Sequence, residues 1–511
     1  MDVLHAPAGP TTADAPAGAV EEEVTVPRAR LLVAVASAVA FVLGVVELGT
    51  DSFWVDDGFT LTHARLANAD FFRVIVDHEM NGALFTTLMH GWVQIGQGET
   101  WMRLPSVLFA TAVVPVTYLL ARRLFDQRVG VTAAFLVAVN AFVVEYAHEA
   151  RTYAMTLLLA TSSVLLLVRY LQGPSRGRWA AWAGITALLP LAHFFGLLVV
   201  GAEVVAVVLR GRLPTPRKAL VGGLAVVGLA TLPIVWFLAA GGDKGQVDGA
   251  PALTPVRFVG TFVRLVGNGG PVLLLLAVAA IGAALWDAAR RHRAAGGLDE
   301  RTWGTVLLVS WVAVPIATMA VVSAVKPLFG ARYFLLVAPG LIVLVAAGVW
   351  ALPWRRAGVV LLGLIVAVSL VATAFFYPRD AHDDFRATTA YVLDHAAAGD
   401  AIVFQPWFTR TTFEVYAGRS PERRDQLIPL DPDPAWGDWL LIDQPPELTP
   451  ERAEALLEGH DRIWVLERAG TEDAPQASDA ATMTDALVAN GYTAIDERSF
   501  PGLDVTLYQG G

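Results

Sequence analysis

The sequence contains no cysteine, which excludes disulfides and Cys-based metal sites and leaves the redox compartment open. Charged residues are also scarce, at 16% of 511 residues, while 55% are hydrophobic. Long apolar runs and so little charge indicate a membrane protein rather than a soluble domain. The net charge of -10 comes largely from residues 21–23 and from the region after Arg379, so no nucleic-acid partner is indicated.

Motifs for nucleotide and metal binding are missing as well. No Walker A motif or nucleotide-fold glycine fingerprint follows a strand, and no His pair at metal spacing lies on a helix. No cofactor or metal site is predicted, apart from a divalent cation at an acidic pair, which stays open. Residues 1–27 are rich in Ala, Pro, Gly and Thr and predict a disordered cytoplasmic tail. This tail lacks the basic start of a signal peptide.

Apolar runs long enough to cross a bilayer fill residues 28–376, which we interpret as a transmembrane domain of about eleven spans. The predicted spans are 31–50, 104–122, 130–147, 152–170, 179–191, 194–210, 218–240, 271–289, 303–323, 333–351 and 357–376.

Every second loop is basic, which places the basic loops and the N-terminus in the cytoplasm. The run 179–210 is too long for one span and short for two; both flanks are basic, so we assign two, with the turn near Pro190 and His193. One tilted helix there would invert all later loops. Residues 81–97 are also apolar, but a span there would put Arg122 outside.

Three shorter segments, 57–68, 81–97 and 254–266, predict helices lying in the outer interface, two of them in the first outer loop. Residues 377–511 predict a small extracytoplasmic α/β domain, because strand-like and helix-like runs alternate there. Its predicted strands are 401–404, 462–466 and 504–508, and its predicted helices are 384–397, 449–458 and 480–490.

Reactive side chains gather on the predicted outer face. Asp56 and Asp57 follow the first span directly. An acidic helix start can explain them, but two adjacent acids exceed what a cap requires. A carboxylate at hydrogen-bonding distance can act as general base on a hydroxyl. Both are therefore catalytic candidates, and capping is the alternative for Asp57.

Further outer-face residues are candidates for substrate binding, each against a structural alternative such as a polar turn, an interfacial loop or headgroup contact. They are His78, Glu79, Asn81, Arg103, His148, Glu149, Arg151, Tyr153, His193, Lys326, Arg332 and Tyr333. Glu145, inside a span, needs a partner, for which Arg151 is the expected residue.

Lys326 and Arg332 place two cations between two apolar spans on the outer face. Since Lys and Arg are the usual partners of phosphate, we interpret them as a site for a membrane-borne anion. Outer carboxylates and an outer phosphate site fit transfer of a sugar from a polyprenyl-phosphate donor to an acceptor hydroxyl. A lipid or sugar transporter, or a non-catalytic scaffold whose outer domain binds polymer, are the alternatives. The acceptor, whether protein, lipid or glycan, is not specified.

Several motifs resemble those of the GT-C membrane glycosyltransferases, in particular the family-39-like group of protein O-mannosyltransferases and aminoarabinose transferases. Besides the acidic pair, they are RLPS at 103–106, HEARTYA at 148–154, KPLFGARYFLLVAP at 326–339 and DDFRATTAYV at 383–392. The resemblance implies a GT-C fold in a cell membrane, Asp56 as catalytic base, Lys326 and Arg332 as contacts to the donor phosphate, and inversion at the anomeric carbon. The acidic pair in relatives is often Asp-Glu, and here it is Asp-Asp.

Overall fold

The computed structural model describes residues 26–242, 252–377, 383–430, 436, 448–469 and 477–511. Nearly all of the tail expected at 1–27 lies outside these residues. The helices of the membrane part are α1 (Ala29–Val45), α2 (Val55–Arg65), α3 (Asn68–Asp77), α4 (Ala83–Trp92), α5 (Glu99–Leu124), α6 (Gln127–Ala138), α7 (Ala141–Ala147), α8 (Tyr153–Gln172), α9 (Arg176–Ala192), α10 (Gly196–Arg210), α11 (Arg217–Ala239), α12 (Pro255–Leu265), α13 (Gly270–Ala295), α14 (Glu300–Val322), α15 (Ala338–Ala351) and α16 (Arg355–Ala374). A 3₁₀ segment, Ala331–Val337, leads into α15.

Each of the eleven predicted spans corresponds to a helix or a bent helix pair within the described residues. Seven helical segments there, one of them the 3₁₀ segment joined to α15, are long and apolar enough to cross a membrane, and the α6–α7 pair, bent by 55°, is an eighth candidate. The three remaining predicted spans correspond to α1, α9 and α10, which have 17, 17 and 15 residues. The ambiguous run 179–210 thus forms two helices that break at His193.

The bend between α6 and α7 has an identifiable cause in Asn140. Its Oδ1 accepts the N–H groups of Phe142 and Val143, both at 3.1 Å, and so starts a new helix. Its Nδ2 donates to the Leu265 carbonyl at 3.1 Å, which ties the bend to the end of α12. The bend thereby fixes the position of the loop at 148–152, which carries several predicted site residues.

The first outer loop contains three short helices where two were predicted. The expected helix 57–68 corresponds to α2 and the expected helix 81–97 to α4, and the predicted 254–266 corresponds to α12. Helix α3 was not predicted. Its apolar side buries Phe71, Val74 and Ile75, while Phe72 and Val76 stay exposed.

The C-terminal part contains helices α17 (Phe385–His395), α18 (Thr409–Ala417), α19 (Pro421–Arg424), α20 (Pro450–Leu457) and α21 (Ala477–Ala489), and strands β1 (Ala401–Gln405), β2 (Ile428–Pro429), β3 (Arg462–Arg468), β4 (Thr493–Phe500) and β5 (Leu503–Gln509). The described strands form one sheet in the order β2-β1-β3-β5-β4. Strand β1 is parallel to β2 and β3, while β5 is antiparallel to β3 and β4. The three predicted strands are confirmed, and β2 and β4 were not predicted.

The sheet domain packs directly on the first outer loop. One buried apolar cluster includes Phe53 and Leu61 from that loop together with Phe385, Phe404 and Phe413 from the sheet domain. Polar contacts reinforce the packing. The Tyr416 hydroxyl accepts the Phe53 N–H at 2.7 Å and donates to the Glu99 carboxylate at 2.9 Å. The sheet domain therefore helps to hold the segment that leads into α2.

Candidate active site

The acidic pair lies in the first turn of α2, where its two side chains point in different directions. Successive residues of an α-helix are rotated by about 100°. The Asp57 side chain is 0% exposed, whereas that of Asp56 is 24% exposed. Two carboxylates that are adjacent in the sequence therefore have different environments.

Asp57 forms a buried ion pair with Arg103 of α5. Its Oδ2 accepts from Nε and Nη2 of Arg103 at 3.1 and 2.9 Å, and its Oδ1 accepts the Ala150 N–H at 2.7 Å. Burial raises the pKa of Asp57, and the Arg103 charge opposes this. With both oxygens bonded and no exposed surface, Asp57 does not face a substrate site. These contacts favour a structural role for Asp57 over the catalytic role expected from the sequence.

The contacts of Arg103 likewise favour a structural role over the substrate-binding role expected from the sequence. It is 2% exposed and also donates to the carbonyl groups of Leu48, Asp51 and Ser52 at 3.1, 3.0 and 2.7 Å. A guanidinium can satisfy several acceptors at once because its donors are fixed in one plane. Together with Asp57 it fixes the path of the chain between α1 and α2.

Asp56 faces two arginines that come from distant parts of the chain. Its Oδ2 lies 3.8 Å from Nε of Arg151 and 3.7 Å from Nη1 of Arg332. Arg151 belongs to the loop after α7, and Arg332 to the 3₁₀ segment. Burial acts to lower the pKa of Arg151, but the charges of Asp56 and Glu79 outweigh it and raise that pKa above its usual value. The structure thus brings Asp56, Arg151 and Arg332 together.

A small crevice beside this cluster is lined by aromatic and polar groups. Its lining residues are Tyr153, Thr156, His193, Arg332, Tyr333, Leu335 and Leu336. Nη2 of Arg332 donates to the Tyr333 hydroxyl at 3.3 Å, and the His193 and Tyr333 rings lie 6.1 Å apart. Burial, followed by the charges of Arg151 and Arg332, lowers the pKa of His193 to about 3. Tyr153, His193, Arg332 and Tyr333, all predicted site residues, therefore share one wall.

His63 and Glu79 form a second buried contact next to Arg151. Nδ1 of His63 lies 3.6 Å from Oε1 of Glu79. Burial lowers the pKa of His63 to about 3 and raises the pKa of Glu79 above its usual value. His63 was not among the predicted site residues. Its position seven residues after Asp56, on the same helix face, is the signal that could have found it.

Other predicted residues have structural roles or lie at the edge of the cluster. Asn81 accepts the Phe194 N–H at 3.0 Å, and so holds the turn between α9 and α10. His148 lies 3.4 Å from the Leu43 carbonyl and contacts the Phe376 ring edge-on. These contacts connect helices, and neither residue lines the crevice.

Of the three remaining candidates, Glu149 and His78 interact electrostatically with residues of the site. Glu149 is 4% exposed, and burial, followed by the Asp57 charge, raises its pKa well above the usual value. His78 ends α3 and is half-buried, and its charge contributes to the lowered pKa of His63. Lys326 lies on the exposed loop between α14 and the 3₁₀ segment.

Glu145 pairs with Arg264 of α12, not with Arg151 as expected. Arg264 also lies over the Phe142 ring, with its Cζ 4.9 Å from the ring centroid. Arg151 is consequently available to Asp56. Within the described ranges, no cluster of three or more His, Cys, Asp or Glu residues is arranged to hold a metal ion.

Comparison with known proteins places this geometry in a structural context. Residues 82–240 match the family model described as dolichyl-phosphate-mannose-protein mannosyltransferase. The structure is similar to that of ArnT from Cupriavidus metallidurans in the apo state, with a TM-score of 0.59 and 12% identity over 94% of this chain and 98% of that one. The chain has the fold of a GT-C glycosyltransferase.

Two ligand-bound structures share this GT-C fold. ArnT from the same organism bound to undecaprenyl phosphate has a TM-score of 0.56 and 12% identity, over 93% of this chain and 97% of that one. The oligosaccharyltransferase AglB from Archaeoglobus fulgidus, in complex with an inhibitory peptide and a dolichol-phosphate, has a TM-score of 0.55 and 14% identity, over 94% and 74%. A search of curated proteins finds no significant match. The resemblance inferred from the motifs is confirmed.

Proposed function

We propose that this protein transfers a sugar from a polyprenyl-phosphate donor to an acceptor hydroxyl, with Asp56 as the general base. The observation that carries the proposal is the position of the Asp56 carboxylate, 3.8 and 3.7 Å from Arg151 and Arg332. A carboxylate that can act as base, with two cations that can bind phosphate beside it, supplies the parts that this reaction needs. The GT-C fold and the lipid phosphates bound by ArnT and AglB support it.

The contacts of Asp56 to the two arginines are longer than those of a tight ion pair. At 3.7–3.8 Å, the contacts to the arginines are longer than the 2.7–2.9 Å of tight charge-assisted hydrogen bonds. A donor phosphate that binds Arg332 and Arg151 replaces Asp56 as the counter-charge of these arginines. The Asp56 carboxylate, whose side chain is 24% exposed, can then accept the proton of the acceptor hydroxyl.

The chemistry follows from this arrangement. The acceptor oxygen attacks the anomeric carbon while Asp56 takes the hydroxyl proton, and the bond from that carbon to the phosphate oxygen breaks. The electron pair stays on the leaving phosphate, whose growing charge the two arginines stabilise inside a partly buried site. In such a single displacement the acceptor attacks from the side opposite the leaving phosphate, which inverts the anomeric carbon.

The remaining residues of the cluster receive supporting roles. Tyr333 lies under Arg332, with the Arg332 Cζ 5.2 Å from the ring centroid, and holds that guanidinium in place. Lys326 supplies a further cation on the neighbouring exposed loop. Tyr153 and His193 form a wall that a sugar ring can pack against, and His193, held neutral, can exchange hydrogen bonds with sugar hydroxyls.

We place the site on the extracytoplasmic face of a cell membrane. Arginine is frequent at the helix ends that meet in the connections α5–α6, α8–α9, α10–α11 and α13–α14, and positively charged connections stay in the cytoplasm. Residues 28–376 then form the catalytic membrane domain, and 377–511 the outer domain. Because nucleotide sugars are cytoplasmic, an outward site needs a lipid-carried donor.

The proposal is tested with purified protein reconstituted in lipid vesicles and a panel of prenyl-phosphate sugars. Release of the lipid phosphate is measured with and without acceptor extract from protein, lipid and glycan fractions. We expect acceptor-dependent release from one member of the panel, and loss of that release in Asp56→Asn. Uptake of the donor across the bilayer without any cleavage would instead support the transporter alternative.

A further inference from the structure

A second cavity lies at the opposite end of the helices from Asp56. Its volume is ≈430 Å³, and its walls come from α8, α9, α10 and α11 together with the connection between α10 and α11. The lining residues are Leu167, Trp182, Glu203, Val204, Val207, Val208, Gly211, Leu213, Arg217, Leu220, Val221 and Leu224. A volume in this range is typical of sites that hold a small organic group.

The packing of the helices explains why the cavity exists. Helix α10 packs against α14, and α11 packs against α9, so the two neighbours in sequence diverge. Val208 and Val221, which line the gap, are 70% and 63% exposed on the membrane-facing surface. An opening with such walls inside a bilayer is accessible to hydrocarbon chains and not to water.

The floor of the cavity contains one carboxyl group whose hydrogen bonds are already made. Oε1 of Glu203 accepts from the Ser163 hydroxyl at 2.6 Å, and Oε2 accepts from Nε1 of Trp182 at 3.0 Å. Glu203 is 2% exposed. With its oxygens occupied by the protein, the floor presents mainly the apolar faces of Trp182 and Leu167.

The mouth of the cavity, in contrast, is cationic and lacks counter-charges. Arg217 lines it, and Arg212 and Lys218 adjoin it on the connection after α10. All three are exposed and make no ion pair in the described part of the chain, whereas nearby Arg210 pairs with Glu300. Basic pockets between spans on the cytoplasmic side bind anionic lipid headgroups.

We propose that this cavity is a binding site for an anionic glycerophospholipid of the cytoplasmic leaflet. Its headgroup phosphate contacts Arg212 and Arg217, and one acyl chain enters between α10 and α11. The charge at the mouth selects for an anionic headgroup, and the apolar walls require a chain. The site is separate from the Asp56 cluster and does not depend on the proposed transferase activity.

The test measures lipid binding to the full-length protein in detergent by native mass spectrometry. Phosphatidylglycerol and phosphatidylethanolamine with identical acyl chains are titrated separately. We expect the wild type to bind phosphatidylglycerol more tightly. The double variant Arg212→Gln/Arg217→Gln weakens this binding by roughly 30-fold, which corresponds to about 1 kcal/mol for each arginine. Arg355→Gln/Arg356→Gln, at the exposed start of α16, is the charge-matched control.

A second pair of variants tests the acyl chain. Val204 lines the cavity and Val205 does not, although they are 37% and 38% exposed. Val204→Trp fills the cavity and should abolish the tight binding, while Val205→Trp should leave it unchanged. Equal losses in both charge variants, equal losses in both Trp variants, or displacement of phosphatidylglycerol by equimolar polyprenyl phosphate would each overturn the proposal.

Discussion

Substitution of Asp57 by asparagine tests whether Asp57 has a structural role while Asp56 is the base. Asp57→Asn keeps the side-chain shape and removes its charge. In the wild type its two oxygens accept three hydrogen bonds, two from Arg103 and one from the Ala150 N–H. An amide has one acceptor oxygen, so its NH₂ group must face a donor on one side. Arg103 keeps its carbonyl partners but loses its counter-charge.

The magnitude follows from burial. Both partners are nearly inaccessible, with 0% and 3% of their side chains exposed, so solvent cannot replace the lost interaction. Breaking a buried ion pair by removing one member costs about 3–5 kcal/mol. We expect Asp57→Asn to lower the unfolding midpoint strongly and to reduce transfer only in proportion to the folded protein that remains.

The assay is unfolding of the detergent-solubilised protein, followed in parallel with sugar transfer. Asp56→Asn is the matched control, because the same chemical change at a partly exposed position should alter the unfolding free energy by at most about 1 kcal/mol. If Asp57→Asn unfolds like the wild type but cannot transfer sugar, the structural assignment of Asp57 is refuted and this residue is catalytic.

Three further predictions concern the surroundings of Asp56. Arg332→Ala should raise the KM for the donor by roughly 10- to 100-fold, the range for a charged hydrogen bond, and Lys326→Ala should raise it less; unchanged donor binding would contradict the phosphate role. Tyr416→Phe removes the hydroxyl that accepts the Phe53 N–H and should lower the free energy of unfolding in denaturant by about 1–3 kcal/mol. An unchanged free energy of unfolding would show that this contact of the sheet domain does not stabilise the segment before α2. Burial lowers the pKa of His63 from its usual 6.5 to about 3, so the folded protein loses stability by about 1.4 kcal/mol per pH unit as the pH falls from 6.5 toward 3. His63→Gln should flatten this part of the profile of unfolding free energy against pH.

The membrane helices were predictable because one physical requirement dominates them. A bilayer demands about 20 apolar residues per crossing, and each predicted span corresponds to a helix or bent pair in the described residues. The break of 179–210 into two helices also followed from the charges on its flanks. Helix α3 was missed because it is short and because apolar residues also lie on its exposed side, at Phe72 and Val76, so the sequence shows no clear helical spacing of apolar residues. Strand β4 was missed because its side chains are mostly exposed and show no alternation.

The candidate site was predictable in its residue types and not in its pairings. Asp56, Arg151 and Arg332 were all named from the sequence, but no local pattern indicates which cation meets which carboxylate. Arg151 was expected to pair with Glu145, which instead pairs with Arg264. The separation of Asp56 from Asp57 required the position of α5, because Arg103 decides which acid is buried. Such pairings are set by tertiary packing over many residues of sequence.

The central claim is that Asp56 is the base for sugar transfer, and it is tested most directly by the transfer rate of Asp56→Asn with a saturating prenyl-phosphate sugar. General-base catalysis contributes about 10²–10⁴-fold. We predict a loss of at least ~100-fold in kcat, with normal unfolding and with donor binding that is unchanged or tighter, since Arg151 and Arg332 are then released for the phosphate. A variant that transfers sugar at the wild-type rate would contradict the account.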